Sequence, residues 1–191
     1  PSRVTAATGF DAFTHAFESY LGHRTSPLTE YLSLETIRLV VEYLPKAIQK
    51  PDSIEYRTKL AWADTAAGIC LSNGGADLPH PLGEIIGGIC QRIAHGETLA
   101  IVYPAFLEYK EKIAAKKFRN IASYLGIEKT PKALSNEVIG LLKTTDLIRS
   151  KSRAAITLNE QEEILSHPLL KKLDPKNSEK ILSIMSHSIE E

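Results

Sequence analysis

Apolar residues recur at intervals of three and four along most of the chain, which is the spacing of one face of an α-helix. The clearest series are Leu34, Ile37, Val41, Leu44 and Ile48; Leu60, Ala63, Ala67 and Leu71; Leu82, Ile85, Ile86 and Ile89; and Leu99, Val102, Phe106 and Ile113. Signals for strands are nearly absent, and no internal repeat occurs. We therefore predict an all-α helical bundle that forms a single domain over residues 1–191.

Glycines and Ser-Pro or Thr-Pro pairs predict where several helices end and begin. Gly22 and Gly126 are placed to end helices. Ser26-Pro27 and Thr130-Pro131 each offer an N-cap followed by proline at the first helical position. These signals predict at least two helices whose starts are fixed locally by the sequence.

Other segments give more general expectations. Ser150 to Leu158 is polar and lacks clear periodicity, so a loop is predicted there. Asn159 to Glu162 has the spacing of a capping box. Trp62 and Cys70 are interpreted as residues of the hydrophobic core and not as functional residues.

Composition narrows the function classes. The chain has 23 Lys and Arg against 23 Asp and Glu, so there is no net charge to attract nucleic acid or acidic membranes. No apolar run is long enough to span a bilayer, and no signal segment is recognised. Cys70 and Cys90 form no CxxC pattern and are too few for a disulfide scaffold, which favours a reducing, cytoplasmic setting.

The first candidate chemistry lies in the segment from Thr8 to Glu18, which reads T-G-F-D-A-F-T-H-A-F-E. Asp11 and His15 are four residues apart, so a helix places both side chains on one face. Such a pair could simply form an intrahelical contact. That contact is the more common outcome for an isolated pair, and the alternative is that the pair supplies two ligands to a metal.

Two further histidines lie in unusual surroundings at predicted helix starts. His80 is flanked by prolines in L-P-H-P-L-G-E, and His95 precedes glycine in A-H-G-E-T. Together with Asp11 and His15 they would give one oxygen and three nitrogen donors, a set that suits Fe(II), Zn(II) or another first-row divalent ion. No role is assigned to the remaining histidines, His23, His167 and His187.

Three segments in succession resemble the signatures of the iron-containing, or group III, alcohol dehydrogenases. They are T-G-F-D-A-F-T-H-A-F-E, L-P-H-P-L-G-E-I-I-G-G and A-H-G-E-T-L-A-I-V-Y-P. The resemblance is strong over about the first 110 residues and weak beyond them. Three motifs in the right order are much more specific than any one of them.

The resemblance implies a two-domain enzyme with the dehydroquinate synthase-like fold. In this family an N-terminal α/β domain binds NAD(P), and an all-helical C-terminal domain holds a divalent metal. The present chain is similar to the helical half alone, because no strand, glycine-rich loop and helix unit of the dinucleotide-binding type is present. The N-terminal NAD(P)-binding domain is therefore expected to be absent from this chain, which reads like a piece of a longer one.

Residue by residue, the resemblance implies that Asp11, His15, His80 and His95 are the metal ligands. The family commonly has a second histidine one turn after the third ligand, close to the nicotinamide, and here that position is Glu84. The string H-P-L-G could instead be matched to that second histidine, which would leave alanine at the ligand position. The stretch between His80 and His95 is also one residue longer than usual. These departures from the family pattern bear on substrate preference and proton handling more than on metal binding.

The implied function is the metal-binding half of an NAD(P)-dependent alcohol dehydrogenase, an oxidoreductase that interconverts an alcohol and an aldehyde or ketone by hydride transfer. The implied metal is Fe²⁺, with Zn²⁺ as the alternative, and a homodimer is among the implied assemblies. Without the cofactor domain, we expect the chain to be inactive by itself. Two alternatives stay open: a glycerol dehydrogenase- or dehydroquinate synthase-like metal enzyme, and a non-catalytic helical metal-binding or interaction module.

Overall fold

A computed structural model describes residues 1–147, 156–173 and 178–190, and it describes residue 190 by its backbone alone. Within these ranges the regular structure is entirely helical and contains no strand, which confirms the predicted all-α fold. The helices are α1 (Ser2–Leu21), α2 (Pro27–Gln49), α3 (Ile54–Gly74), α4 (Pro79–Ile89), α5 (His95–Ile113), α6 (Ala115–Tyr124), α7 (Pro131–Thr144), α8 (Leu158–Ser166), α9 (Pro168–Leu173) and α10 (Ser178–Glu190).

The predicted helix boundaries have the expected local causes. The Ser26 hydroxyl accepts a hydrogen bond from the Thr29 amide at 3.2 Å, and the Thr29 hydroxyl accepts one from the Ser26 amide at 2.8 Å. Thr130 caps α7 by accepting from the amide of Ala133 at 3.1 Å. Each cap satisfies an amide that has no partner within its helix.

Helix α5 lies between two clusters of buried apolar side chains and contributes to both. The larger cluster joins α5 to α1, α2, α6 and α7, and it includes five stacked or edge-packed aromatic rings: Phe10, Phe13, Phe17, Tyr103 and Phe118. The smaller cluster joins α5 to α4 and to the C-terminal helices, and its members include Leu82, Ile86, Val102, Leu170 and Met185. The first turns of α4 and α5 therefore meet α1 where the two clusters adjoin.

Two local predictions were wrong and one cannot be judged in full. Trp62 was expected in the core but is 50% exposed, because α3 packs on α1 and α2 with one side only; Cys70, on the packed side, is buried as predicted. The capping box at the start of α8 is formed by Thr157 and Glu160, not by the segment from Asn159. Of the loop predicted at 150–158, residues 150–155 lie outside the described residues, and Leu158 already belongs to α8.

Candidate metal centre

The centre is assembled by three helices that are far apart in the sequence. Asp11 and His15 project from successive turns of α1, His80 stands in the first turn of α4, and His95 begins α5. The Asp11–His15 pair follows from helix geometry alone. His95 reaches it because α5 packs against α1, and His80 reaches it because α4 packs on α5.

The three predicted histidine ligands converge on one carboxylate oxygen of the fourth, Asp11. Asp11 Oδ1 lies 3.5 Å from Nε2 of His15, 3.7 Å from Nε2 of His80 and 3.7 Å from Nε2 of His95. The ligand atoms of Asp11, His80 and His95 all lie within 4.8 Å of one another. His15 is not in this set of three, and its ring instead stacks on that of His80 at a centroid distance of 4.6 Å.

The donors fit a divalent first-row metal. Two atoms that each lie about 2.1 Å from a tetrahedral ion are about 3.4 Å apart, close to the spacings around Asp11 Oδ1. Asp11 Oδ1 and His80 Nε2 are also buried without a hydrogen-bond partner. Because buried polar atoms are nearly always satisfied, these two point to an ion as the missing partner. The carboxylate of Asp11 and the imidazoles of His80 and His95 could hold it together, and the ring of His15 lies beside them.

The pKa values of the side chains in the centre depend on burial and on the charges of their neighbours. Burial lowers the pKa of His80, but its contacts with Asp11 and Glu18 outweigh burial and raise that pKa to about 9. Burial raises the pKa of Asp11, but the neighbouring histidines outweigh it and lower the pKa overall. Burial also lowers the pKa of His15. The raised pKa of His80 thus reflects the two carboxylates that face its ring, and this negative environment would also favour a metal cation.

The turn that carries His95 is fixed closely to α1. A side chain at Gly96 would place its Cβ only 2.0 Å from the carbonyl oxygen of Ala7, so glycine alone permits this approach. The next residue, Glu97, is buried; its carboxylate accepts from the Ala94 amide at 3.0 Å and from Arg3 at 2.7 Å through each oxygen. This arrangement sets the position of His95 relative to Asp11.

A carboxylate behind His80 escaped the sequence analysis. Glu18 is 1% exposed, and its Oε2 lies 2.9 Å from Nδ1 of His80. Burial raises the pKa of Glu18 to about 7, although its hydrogen bonds with His80 and Asp77 oppose the rise. A signal was available, since Asp11, His15 and Glu18 follow the i, i+4, i+7 spacing of one helix face.

Glu84 lies where the sequence comparison placed it, one turn after His80 on α4, and its side chain is exposed. Nothing among the described contacts assigns it a partner. Its predicted position near a nicotinamide therefore stays a prediction.

Comparison with known proteins gives a consistent result. The family described as Fe-containing alcohol dehydrogenase, C-terminal, matches residues 5–187. The NAD-dependent methanol dehydrogenase of Bacillus methanolicus is 33% identical over 126 residues, which cover 66% of this chain and 33% of that protein. The long-chain-alcohol dehydrogenase 1 of Geobacillus thermodenitrificans is 36% identical over 126 residues, covering 66% of this chain and 32% of that protein.

Solved structures agree in fold. The crystal structure of an archaeal halo-thermophilic alcohol dehydrogenase from a Red Sea brine pool superposes with a TM-score of 0.84 and 25% identity, over 98% of this chain and 51% of that chain. The chain thus spans about a third of the curated relatives it matches and about half of this solved relative. On the family match and these relatives, the chain belongs to the iron-containing alcohol dehydrogenases and corresponds to their all-helical C-terminal domain.

Proposed function

We propose that this chain is the metal-binding catalytic half of an NAD(P)-dependent alcohol dehydrogenase, which interconverts an alcohol and an aldehyde or ketone. The observation that carries the proposal is the convergence of three imidazole Nε2 atoms on Asp11 Oδ1, with two buried donor atoms left unpartnered. Membership of the iron-containing family makes Fe²⁺ the first choice of metal, with Zn²⁺ as the alternative. The proposed ligands are Asp11, His15, His80 and His95.

These residues would hold a divalent cation, which would supply Lewis-acid chemistry toward the oxygen of the alcohol or carbonyl compound. The side chains of the chain itself supply the geometry. His80 is buried and holds the inner side of the centre, whereas His95 is 42% exposed and borders its open side. Three uncharged imidazoles would leave the charge of such a cation largely undiminished, and the single carboxylate of Asp11 would offset part of it.

Hydride transfer requires a nicotinamide cofactor, and we place its binding mainly in a separate N-terminal domain. Residues 1–191 would then form a single helical domain without turnover of its own. Glu84 is proposed to face the nicotinamide once that domain is present. We also place the enzyme in the cytoplasm, because both cysteines are free and buried. None of the described helices is both long and apolar enough to cross a membrane.

The substrate is proposed to be a small alcohol or its aldehyde. The names of the two relatives range from methanol to long-chain alcohols, so their similarity does not select a chain length. A panel of alcohols of increasing length, with glycerol included, would be tested on the chain fused to a cofactor domain of a relative. Turnover of glycerol alone would favour the glycerol dehydrogenase alternative. A homodimer is the proposed assembly.

The first experiment is elemental analysis of the chain purified without oxygen, compared with His80→Ala. We expect about one equivalent of iron or zinc in the parent and a clear loss in the variant. His23→Ala is the matched control, because His23 lies in the exposed turn after α1. Stoichiometric metal in His80→Ala would contradict the ligand set, and NAD-dependent alcohol oxidation by the chain alone would contradict the proposed division of labour.

A further inference from the structure

A buried polar cluster lies directly behind His80, on the side of the ring away from the other proposed ligands. Glu18 Oε2 contacts His80 Nδ1 at 2.9 Å and accepts from the Asp77 amide at 2.7 Å. Glu18 Oε1 lies 3.4 Å from the hydroxyl of Tyr103. Both Glu18 and Tyr103 are almost fully buried, so solvent does not compete for these contacts. Asp77 is held in turn by Lys110, at 2.6 Å.

We propose that Glu18 is a positioning residue that keeps the proton of His80 on Nδ1 and turns Nε2, with its free lone pair, toward the metal. The inference rests on the proposed function and extends it to a residue outside the ligand set. Its basis is chemical: in its ionised form the Glu18 carboxylate only accepts hydrogen bonds, so the Nδ1 that faces it then carries the proton. A neutral imidazole carries a single proton, and Nε2 is then unprotonated.

The geometry on the opposite side of the ring agrees with this assignment. His80 Nε2 is buried and without a hydrogen-bond partner, and it lies 3.7 Å from Asp11 Oδ1, which is also unpartnered. One ring nitrogen is therefore occupied by Glu18, while the other is directed at the centre. A carboxylate that accepts from the second nitrogen of a metal-bound histidine both fixes the ring and increases the basicity of the ligating nitrogen.

Glu18 also orients the backbone that carries the ligand. Its second hydrogen bond holds the Asp77 amide, and the Asp77 side chain accepts from the Leu78 amide at 2.8 Å, at the entrance to α4. The first turn of α4 is thus attached to α1 by the same carboxylate that holds the imidazole of His80. A residue that only filled space would not need to face both groups.

The test compares Glu18→Gln with the parent chain and uses Zn²⁺ as the probe. Glutamine keeps the size of the side chain and an acceptor for the Asp77 amide, but it loses the charge that favours a proton on Nδ1. We expect the dissociation constant for Zn²⁺ to rise about 10- to 100-fold, measured by competition with a chromophoric chelator. Tyr103→Phe is the control, because it removes the other partner of Glu18 and leaves His80 Nδ1 untouched. Its dissociation constant should stay within about threefold of the parent.

Nitrogen-15 NMR of the histidine side chains supplies a readout that a general loss of packing would not move. In the metal-free parent, in alkaline solution where the ring is neutral, the ¹⁵N shifts of His80 should show the Nδ1–H tautomer. In Glu18→Gln the shifts should move toward the Nε2–H tautomer, which predominates for histidine in water. The parent measurement tests the inference even if the variant fails to fold.

The inference is overturned if the neutral ring of His80 carries its proton on Nε2 in the parent. It is also overturned if Glu18→Gln keeps the Nδ1–H tautomer and binds Zn²⁺ as tightly as the parent. A parent chain that binds no Zn²⁺ refutes the proposed metal centre, and the inference falls with it. Failure of the inference and failure of the proposed metal centre are distinguishable, because only failure of the metal centre leaves the parent chain without bound Zn²⁺.

Discussion

At the scale of single residues, Gly96 controls how closely the start of α5 approaches α1. The Ala7 backbone occupies the space that a side chain at residue 96 would need. Asp11 follows Ala7 by one helical turn, so this close approach is what brings His95 within 3.7 Å of Asp11 Oδ1. The glycine of the A-H-G-E motif therefore has a steric explanation that is independent of any chemistry.

We predict that Gly96→Ala lowers the free energy of unfolding by about 3 kcal/mol or more, because the obstructing atoms are backbone and cannot turn aside. Urea denaturation would measure the change. Gly68→Ala is the matched control, since Gly68 lies inside α3 with nothing near its missing Cβ. That variant should be neutral or more stable by up to about 1 kcal/mol, as alanine favours the helix. Equal midpoints for the two variants would contradict the steric argument.

At the scale of elements, the C-terminal end of α1 is held by a side chain from α6. Lys117 Nζ donates to the carbonyl oxygens of Tyr20 at 2.9 Å, Leu21 at 3.3 Å and Gly22 at 2.6 Å. These carbonyls have no partner within the helix, and they carry the negative end of its dipole. A single cation thus caps the helix that carries two of the proposed ligands.

Replacing this cation with an apolar side chain of similar length, in Lys117→Met, should destabilise the chain by about 1–2 kcal/mol. The neighbouring Lys116→Met is the control, since Lys116 is exposed and should change stability by less than about 0.5 kcal/mol. Thermal unfolding followed by circular dichroism would separate the two. A loss of the same size in both variants would show that the effect is not capping.

On α2, Arg38 pairs with Glu35 at 2.6 Å and with Glu42 at 2.9 Å. The hydrogen bond from Arg38 lowers the pKa of Glu35 below its ordinary value of 4.5, although burial opposes the shift. A lowered carboxyl pKa contributes stability that is present above the unfolded-state pKa and lost as the pH falls through the folded-state value. Because the groups are partly exposed, the contribution should stay below about 1 kcal/mol.

Arg38→Met should therefore lower the melting temperature slightly at pH 7 and by less, or not at all, at pH 3. Melting curves of the parent and the variant at the two pH values would measure the difference. A deficit that persists undiminished at pH 3 would mean that Arg38 acts through the packing of its stem and not through its charge.

At the scale of the whole molecule, the proposed metal centre lies where the two apolar clusters adjoin. Helix α1 belongs to the larger cluster, α4 to the smaller one, and α5 to both. An ion bound by all three helices would connect the two parts of the core. Metal binding should then be coupled to the stability of the entire chain.

At a free Zn²⁺ concentration 100 times the dissociation constant, we predict a stabilisation of about 2.7 kcal/mol. For a chain of this size that corresponds to a rise of roughly 5–10 °C in melting temperature. Asp11→Asn should lose most of this rise, because it removes the anionic ligand on which the three imidazoles converge. An equal rise in the parent and in Asp11→Asn would locate the zinc elsewhere.

The sequence by itself determined what depends on neighbours along the chain. Helical periodicity, the caps at Ser26 and Thr130, and the shared face of Asp11 and His15 all follow from interactions within about one helical turn. The local surroundings of His80 and His95 singled them out, and resemblance to a family supported them, but neither could show how their rings are held. At the start of α8 the sequence predicted a capping box from Asn159 to Glu162, but the box is formed two residues earlier, by Thr157 and Glu160.

Only the tertiary structure decided which distant groups meet. Glu18 and His80 are 62 residues apart, and their contact depends on how α5 holds α4 beside α1. The exposure of Trp62 likewise depends on which side of α3 faces its neighbours. Such contacts are set by the packing of all the helices together, and no short segment of the chain carries that information. The sequence thus specified the helices and the residues proposed as metal ligands, whereas helix packing brought those residues together.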